Sequence, residues 1–265
     1  MYNHFQLAKK YLRYFLTASN GKGHGVHSPF VFDFITHVLN DTKQYDCYAS
    51  IEDQRKKLTA DFSTIEVEDF GAGSSLIKTN QRKVKDIANS SLKPAKYAQL
   101  LFRMVQYYQP INILELGTSL GITSAYLSVG SKDARLYTCE GASSIAAIAQ
   151  QTFDALRLKN IEIIRGDFAK TLPQLLTTIQ TVYFVFIDGN HRKAPTLQYF
   201  QQLLSHSSNA TIFVFDDIHW SAEMESAWTD IQQDPAVTLT IDLFFIGLVF
   251  INPDFKVKQH FIIRF

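Results

Sequence analysis

Five places along this chain bring small residues together with acids or a histidine in ways that can do chemistry. The first is Glu115-Leu116-Gly117-Thr118-Ser119-Leu120-Gly121. Small side chains there let the backbone approach a ligand, and a helix that follows offers unpaired N–H groups. The second is Glu140-Gly141, 23 residues beyond Gly117. An acid at that spacing is placed to accept hydrogen bonds from both hydroxyls of a ribose. The third is Gly166-Asp167-Phe168, an acid beside an aromatic, suited to the edge and face of an adenine. The fourth, Asp188-Gly189-Asn190-His191, sets an acid close to an imidazole that can take a proton near neutrality. The fifth is the pair Asp216-Asp217, whose carboxylates suit a hard divalent ion such as Mg²⁺.

These groups need elements that end where they stand. The apolar runs 111–116, 135–139, 161–164, 182–187 and 211–215 predict strands. Helices are predicted over 122–129, 143–156, 171–178, 196–204 and 221–231, with a lead-in helix over 96–108 that turns Leu100, Leu101, Met104 and Val105 inward. Strands apolar on both faces, joined by crossover helices, mean a parallel sheet covered on both sides. Such sheets bind ligands beyond the C-terminal ends of their strands, where all five groups fall. The ending differs: 237–243, 245–251 and 259–264 predict strands with no helix between them, the turn Asn252-Pro253-Asp254 joining the last two. The expectation is an α/β, Rossmann-like, mainly parallel seven-stranded sheet with a reversed C-terminal strand, over 93–265. A mostly helical extension and lid precede it over 1–92. There, Phe5, Ala8, Tyr11, Leu12 and Phe15 keep helical spacing, and Ser28-Pro29 opens a second helix running to Leu39. Residues 78–93 are basic and polar and read as a linker or lid.

Composition narrows the function classes. Of 265 residues 46% are apolar and 19% charged, which suits a packed core and not a disordered chain. A net charge of +1 gives no whole-molecule pull towards nucleic acid or membrane. Cys47 and Cys139 make neither a disulfide framework nor a metal-site spacing and fit a reducing compartment. The first residues lack a secretory h-region, and the longest apolar run, 243–251, fits a buried strand better than a membrane span. A cytoplasmic location is expected, with no membrane or nucleic-acid partner. A homodimer is compatible with the chain.

With these residues in view, the sequence resembles the class I S-adenosylmethionine-dependent methyltransferases, and within them the O-methyltransferases related to catechol O-methyltransferase. The resemblance runs from about Lys96 to the C-terminus. It rests on NILELGTSLGITSAYLS, YTCEGA, IRGDF, FVFIDGNH and FVFDDIHW, in that order, with the lead-in KYAQLLFRMVQYYQP. It implies methyl transfer from S-adenosylmethionine to a hydroxyl of a small molecule. Glu115, Gly117, Thr118, Ser119 and Gly121 would surround the methionine part of the cofactor. Glu140, with Gly141 behind it, would hold the ribose, and Asp167 and Phe168 would flank the adenine. Asp188 would sit near the transferred methyl, and His191 stands where the family's proton-accepting lysine is found. In metal-dependent relatives Asp, Asp and Asn hold a divalent ion; the matching positions here are Asp188, Asp216 and Asp217, so Mg²⁺ is a candidate and metal dependence stays open. Ser119 replaces the middle glycine of the family's loop.

Other readings compete. NAD binding needs G-x-G-x-x-G, which Gly117 to Gly121 does not supply. An RNA or protein methyltransferase on the same fold, or a non-catalytic cofactor-binding module, would share most of these motifs. Asp69-Phe70-Gly71-Ala72-Gly73-Ser74 has the pattern of a cofactor loop, but no second strand follows, and it reads as part of a lid. His24 and His27 read as a plain loop, and Lys78, Arg82, Lys83 and Lys85 as a solvated face. His219-Trp220 could line a pocket or pack beneath the next helix.

Overall fold

The structure, a computed structural model, describes residues 1–67 and 81–265. The readings at Asp69 to Ser74 and at Lys78 lie outside the described residues. The chain forms two compact units. One combines Met1–Asp41 with Ile179–Phe265, and the other is Thr42–Thr178. The expected boundary near residue 92 falls inside the second.

The first unit opens with α1 (His4–Thr17). Its N-terminus is a capping box: Asn3 Oδ1 accepts from the Gln6 N–H, and Gln6 Oε1 accepts from the Asn3 N–H. Leu7, Tyr11 and Tyr14 turn towards Phe244 and Phe245. α2 (Pro29–Phe34) starts as Ser28-Pro29 predicts, with Ser28 Oγ accepting from the Val31 N–H, and continues as a π-helical turn over Ile35–Leu39.

The second unit begins with α3 (Asp46–Thr59), β1 (Thr64–Glu66), β2 (Gln81–Lys83) and α4 (Val84–Ser91). A basic linker is expected over much of this last stretch. Instead β2 pairs antiparallel with β1, and Val84, Ile87 and Ala88 of α4 are buried. They share a cluster with Tyr48 and Ile51 of α3. α5 (Ala95–Tyr108), β3 (Asn112–Leu116), α6 (Ile122–Gly130), β4 (Arg135–Glu140), α7 (Ser143–Ala155), β5 (Ile161–Arg165) and α8 (Phe168–Thr178) complete the unit. β3, β4 and β5 are parallel, with Leu116 opposite Cys139 and Glu140 opposite Arg165, so the three strands end nearly level.

The first unit resumes with β6 (Val182–Ile187), α9 (Lys193–Leu204), β7 (Ser207–Asp216), α10 (Ala222–Gln233), β8 (Leu239–Asp242), β9 (Ile246–Phe250) and β10 (Gln259–Ile262). Phe184 and Phe186 of β6, Phe200 of α9, and Phe213 and Phe215 of β7 are among its largest fully buried side chains. Burying one such ring contributes roughly 1.5–3 kcal/mol. The strands run in the order β10-β8-β9-β7-β6. β9 alone is reversed in this unit, because three residues cannot carry the chain from β8 into a parallel neighbour. Phe244, in that tight connection, has φ +70°.

The C-terminal strand departs from expectation. β10 does not pair with β9 across the Asn252-Pro253-Asp254 turn; it pairs with β8, and parallel to it. The reversed strand is thus the penultimate one. Among the described residues these five strands and β3, β4 and β5 make eight, one more than the expected seven. The fold class holds: α/β, Rossmann-like, mainly parallel, with one reversed strand.

Candidate functional site

The turn after β3 is built to keep backbone close to whatever lies above it. Gly117 has φ +108°, Ser119 +49° and Gly121 +84°. The first and last are conformations glycine adopts freely, while Ser119 carries strain there. At Gly121 an added Cβ would lie 2.7 Å from the Phe153 ring, so the position also needs the missing side chain for close packing. The Gly117 and Thr118 N–H groups donate to Cys139 O, and Thr118 Oγ1 lies 2.6 Å from Thr138 Oγ1, which fastens the turn to β4.

Two carboxylates stand around this turn. Glu115 is fully buried. Its Oε2 accepts from Thr138 Oγ1 at 2.6 Å and from Ser124 Oγ, while the buried Oε1 accepts no bond among the described residues. Burial pushes its carboxyl up to about 7, against the two hydroxyl donors that favour the charged form. Glu140 ends β4 and is half-buried, Oε2 accepting from the Ser119 N–H at 2.9 Å and Oε1 from the Ala142 N–H at 3.0 Å. Burial raises its pKa, and the N–H donors of Ala142, Ser119 and Gly141 hold that rise back. A carboxylate has about four lone-pair positions, so two remain for a diol. Beyond β5, Asp167 Oδ1 accepts from the Ala169 N–H at 3.0 Å and so caps the start of α8, with half-buried Phe168 as its first residue.

In the other unit, β6 and β7 end in a second group. Ligating atoms of Asp188, His191 and Asp216 all lie within 4.8 Å of one another. His191 Nε2 is 3.6 Å from Asp188 Oδ1, and its Nδ1 is 4.0 Å from Asp217 Oδ2. Asp216 is buried; the other three are half-buried. Asn190 at φ +60° and Asp217 at φ +53° turn the chain sharply on either side. The neighbouring cations are committed elsewhere. Arg192 donates twice to Asn190 Oδ1, and Lys193 pairs with Asp230 at 2.7 Å and Ser226 Oγ at 2.7 Å. The sequence points to Asp217 as the third acid of an ion site, but the structure puts His191 with Asp188 and Asp216, and Asp217 beside the far ring nitrogen.

His219 belongs to neither group. Its Nε2 is 2.8 Å from Asp242 Oδ2 and its Nδ1 3.0 Å from Glu225 Oε1. Glu225 also accepts from Lys10 Nζ at 2.9 Å and Tyr2 OH at 2.8 Å. Burial lowers the His219 pKa, and the two carboxylates more than reverse that. The ring stacks on Phe244. Nothing in the sequence signals this network, whose members, from Tyr2 to Asp242, are up to 240 positions apart.

Residues 114–218 match the family described as "Methyltransferase domain". No protein of curated function matches the sequence. Among solved structures the chain is similar to an SAH-bound methyltransferase of Podospora anserina at 12% identity and TM-score 0.58, over 95% of this chain and 97% of that one. It is also similar to an O-methyltransferase of Bacillus cereus in complex with SAH, at 19% identity and TM-score 0.55, over 83% and 97%. The O-methyltransferase TomG of Streptomyces achromogenes, in complex with SAM, gives 17% identity and TM-score 0.54, over 82% and 95%. Identities this low speak for the fold.

Proposed function

We propose that this chain is a class I, S-adenosylmethionine-dependent methyltransferase, as the match of residues 114–218 and the shared fold support, that its acceptor is a hydroxyl of a small molecule and that His191 takes the hydroxyl proton. The donors and acceptors around the β3 turn fit the cofactor's parts. Glu140 keeps lone pairs for a ribose diol, and the buried Glu115 Oε1 is an acceptor that no described residue uses beside the glycine-rich turn. Asp167 and Phe168 offer an edge and a face for adenine. The bound cofactor supplies a methyl group on a positively charged sulfonium, which alignment alone makes reactive. His191 would take the proton of the acceptor hydroxyl, leaving its oxygen able to bond the methyl that the cofactor would supply, with the sulfur left as a neutral thioether. Asp217 beside Nδ1 would orient the ring and steady the imidazolium.

The observation that carries this reading is the placing of His191, with Asp188 3.6 Å from one ring nitrogen and Asp217 4.0 Å from the other. Arg192 and Lys193 are both held by other residues, so His191 is the group of that loop suited to a proton transfer. A second reading follows from the cluster with Asp188 and Asp216. Two carboxylates and an imidazole form a mixed oxygen and nitrogen set, which suits Mn²⁺ or Fe²⁺ at least as well as Mg²⁺. An imidazole whose lone pair holds an ion has none left for a proton, so the two readings exclude each other. The net charge of +1 supports a small acceptor over RNA.

Calorimetry should detect binding of S-adenosylmethionine and SAH, and none of NAD. With a panel of phenols and catechols as acceptors, His191→Ala should lower turnover on the order of 10²- to 10⁴-fold while cofactor affinity stays unchanged. Chelator should leave the wild type active. Loss of activity on chelation, restored by a divalent ion, would select the ion site. Unchanged turnover in His191→Ala would remove the base.

A further inference from the structure

α1 presents an outer face that nothing among the described residues covers. The inner face is docked: Leu7, Tyr11 and Tyr14 pack on Phe244 and Phe245, with Tyr11 edge-on to Phe244 at 5.1 Å. On the opposite face Phe5 is 80% exposed, Leu12 57% and Leu16 69%. Their spacing of seven and four residues puts them on one stripe along a helix about 21 Å long. Phe15 borders it, with the Arg264 guanidinium 4.6 Å from its ring centre. Exposed Lys9 and Arg13 line the other border. Residues 1–32 contain Lys9, Lys10, Arg13 and Lys22 and no aspartate or glutamate. One flank of a helix thus carries exposed leucine and phenylalanine between cations, in a stretch of chain with no acid.

We propose that α1 docks the protein on an anionic lipid surface. Phe5, Leu12 and Leu16 enter the boundary between headgroups and acyl chains, and Lys9 and Arg13 meet the lipid phosphates. No helix among the described residues is long and apolar enough to cross a membrane, so the attachment is peripheral. Charge decides against a second copy as the occupant. Two α1 helices face to face would bring Lys9 and Arg13 against their own counterparts, with no acid on either helix to relieve them. A stable pair of copies also needs about 20–30 residues a side, more than one flank of a 14-residue helix offers. An anionic surface complements both features, and this docking does not depend on which acceptor is methylated.

The test is sedimentation of the full chain with vesicles of phosphatidylcholine alone and of phosphatidylcholine with a third phosphatidylglycerol, at low and high salt. The protein should pellet with the anionic vesicles and be released by salt. Leu12→Ser/Leu16→Ser and Lys9→Glu/Arg13→Glu should each weaken partitioning at least on the order of tenfold, with melting temperatures unchanged, because none of the four side chains is in the docked face. Failure to bind anionic vesicles would overturn the proposal. So would equal binding to neutral ones, or retention of binding by both variants. A homodimer in vesicle-free solution that Leu12→Ser/Leu16→Ser dissociates would assign the face to a second copy instead.

Discussion

Glu140 shows how far a single residue could be understood in advance. Its place at a strand end, 23 residues past the first loop glycine, was legible because strand length and apolarity fix where a strand stops. Sequence alone presents it as a projecting acid with little part in folding. The structure adds that it holds the Ser119 and Ala142 N–H groups, and so braces both the strained β3 turn and the approach to α7. Glu140→Ala should therefore weaken S-adenosylmethionine binding by about 2–4 kcal/mol, on the order of 30- to 1000-fold. It should also lower the stability of the ligand-free protein by about 1–2 kcal/mol through the two orphaned donors. Glu140→Gln, which retains one acceptor, should fall between on both scales. Calorimetric titration and ligand-free melting of the two variants check this; wild-type affinity in Glu140→Ala would mean that no ribose is held there. The left-handed backbones of Ser119, Asn190 and Asp217 were not legible, since Asn and Asp favour that region without adopting it at most positions and Ser does not favour it.

At the scale of elements, the alternating strands and helices beyond residue 94 were readable from period and apolarity, and β3 to β10 each overlap a predicted run, β7 starting four residues before its own. What escaped was short or charged. β2 is Gln81–Lys83, three polar residues whose strand character comes only from pairing with β1. α3 carries a weak stripe of Tyr48, Ile51 and Leu58 among charges. The direction of β10 escaped because pattern gives a strand's existence and not its neighbour. Ties between elements are equally hidden, and His219 is the clearest of them: it joins α10 to the end of β8 and, through Glu225, to Lys10 of α1. Its folded pKa lies above the unfolded value of about 6.5. The stability it contributes is thus fully present below that value and is lost as pH rises through the folded pKa. Glu225 has the opposite sign. Burial raises its pKa, but Lys10, Tyr2 and His219 hold it below its ordinary value, so its contribution is lost in acid. Melting curves of wild type and His219→Gln from pH 6 to 9 should converge as pH rises. A gap that stays constant would show that the imidazolium does not matter and that only its hydrogen bonds do.

For the molecule as a whole, the near-neutral net charge concealed a local asymmetry. Net charge averages an acid-free stretch over 1–32 with the acids that follow it. The division into units was also invisible in sequence, because the two ends of the chain build one of them together. That arrangement has a consequence during biosynthesis. α1 rests on Phe244 and Phe245, and the Tyr14 hydroxyl reaches the carbonyl of Ile263, 249 positions away. A ribosome adding about 5–20 residues per second releases α1 roughly 10–50 s before its seat exists. Through that interval Leu7, Tyr11 and Tyr14 stay uncovered beside Phe5, Leu12 and Leu16, and the nascent chain carries greasy residues on both flanks of its first helix. Such a segment stays exposed to non-native contacts until the strands from β8 to β10 have been translated.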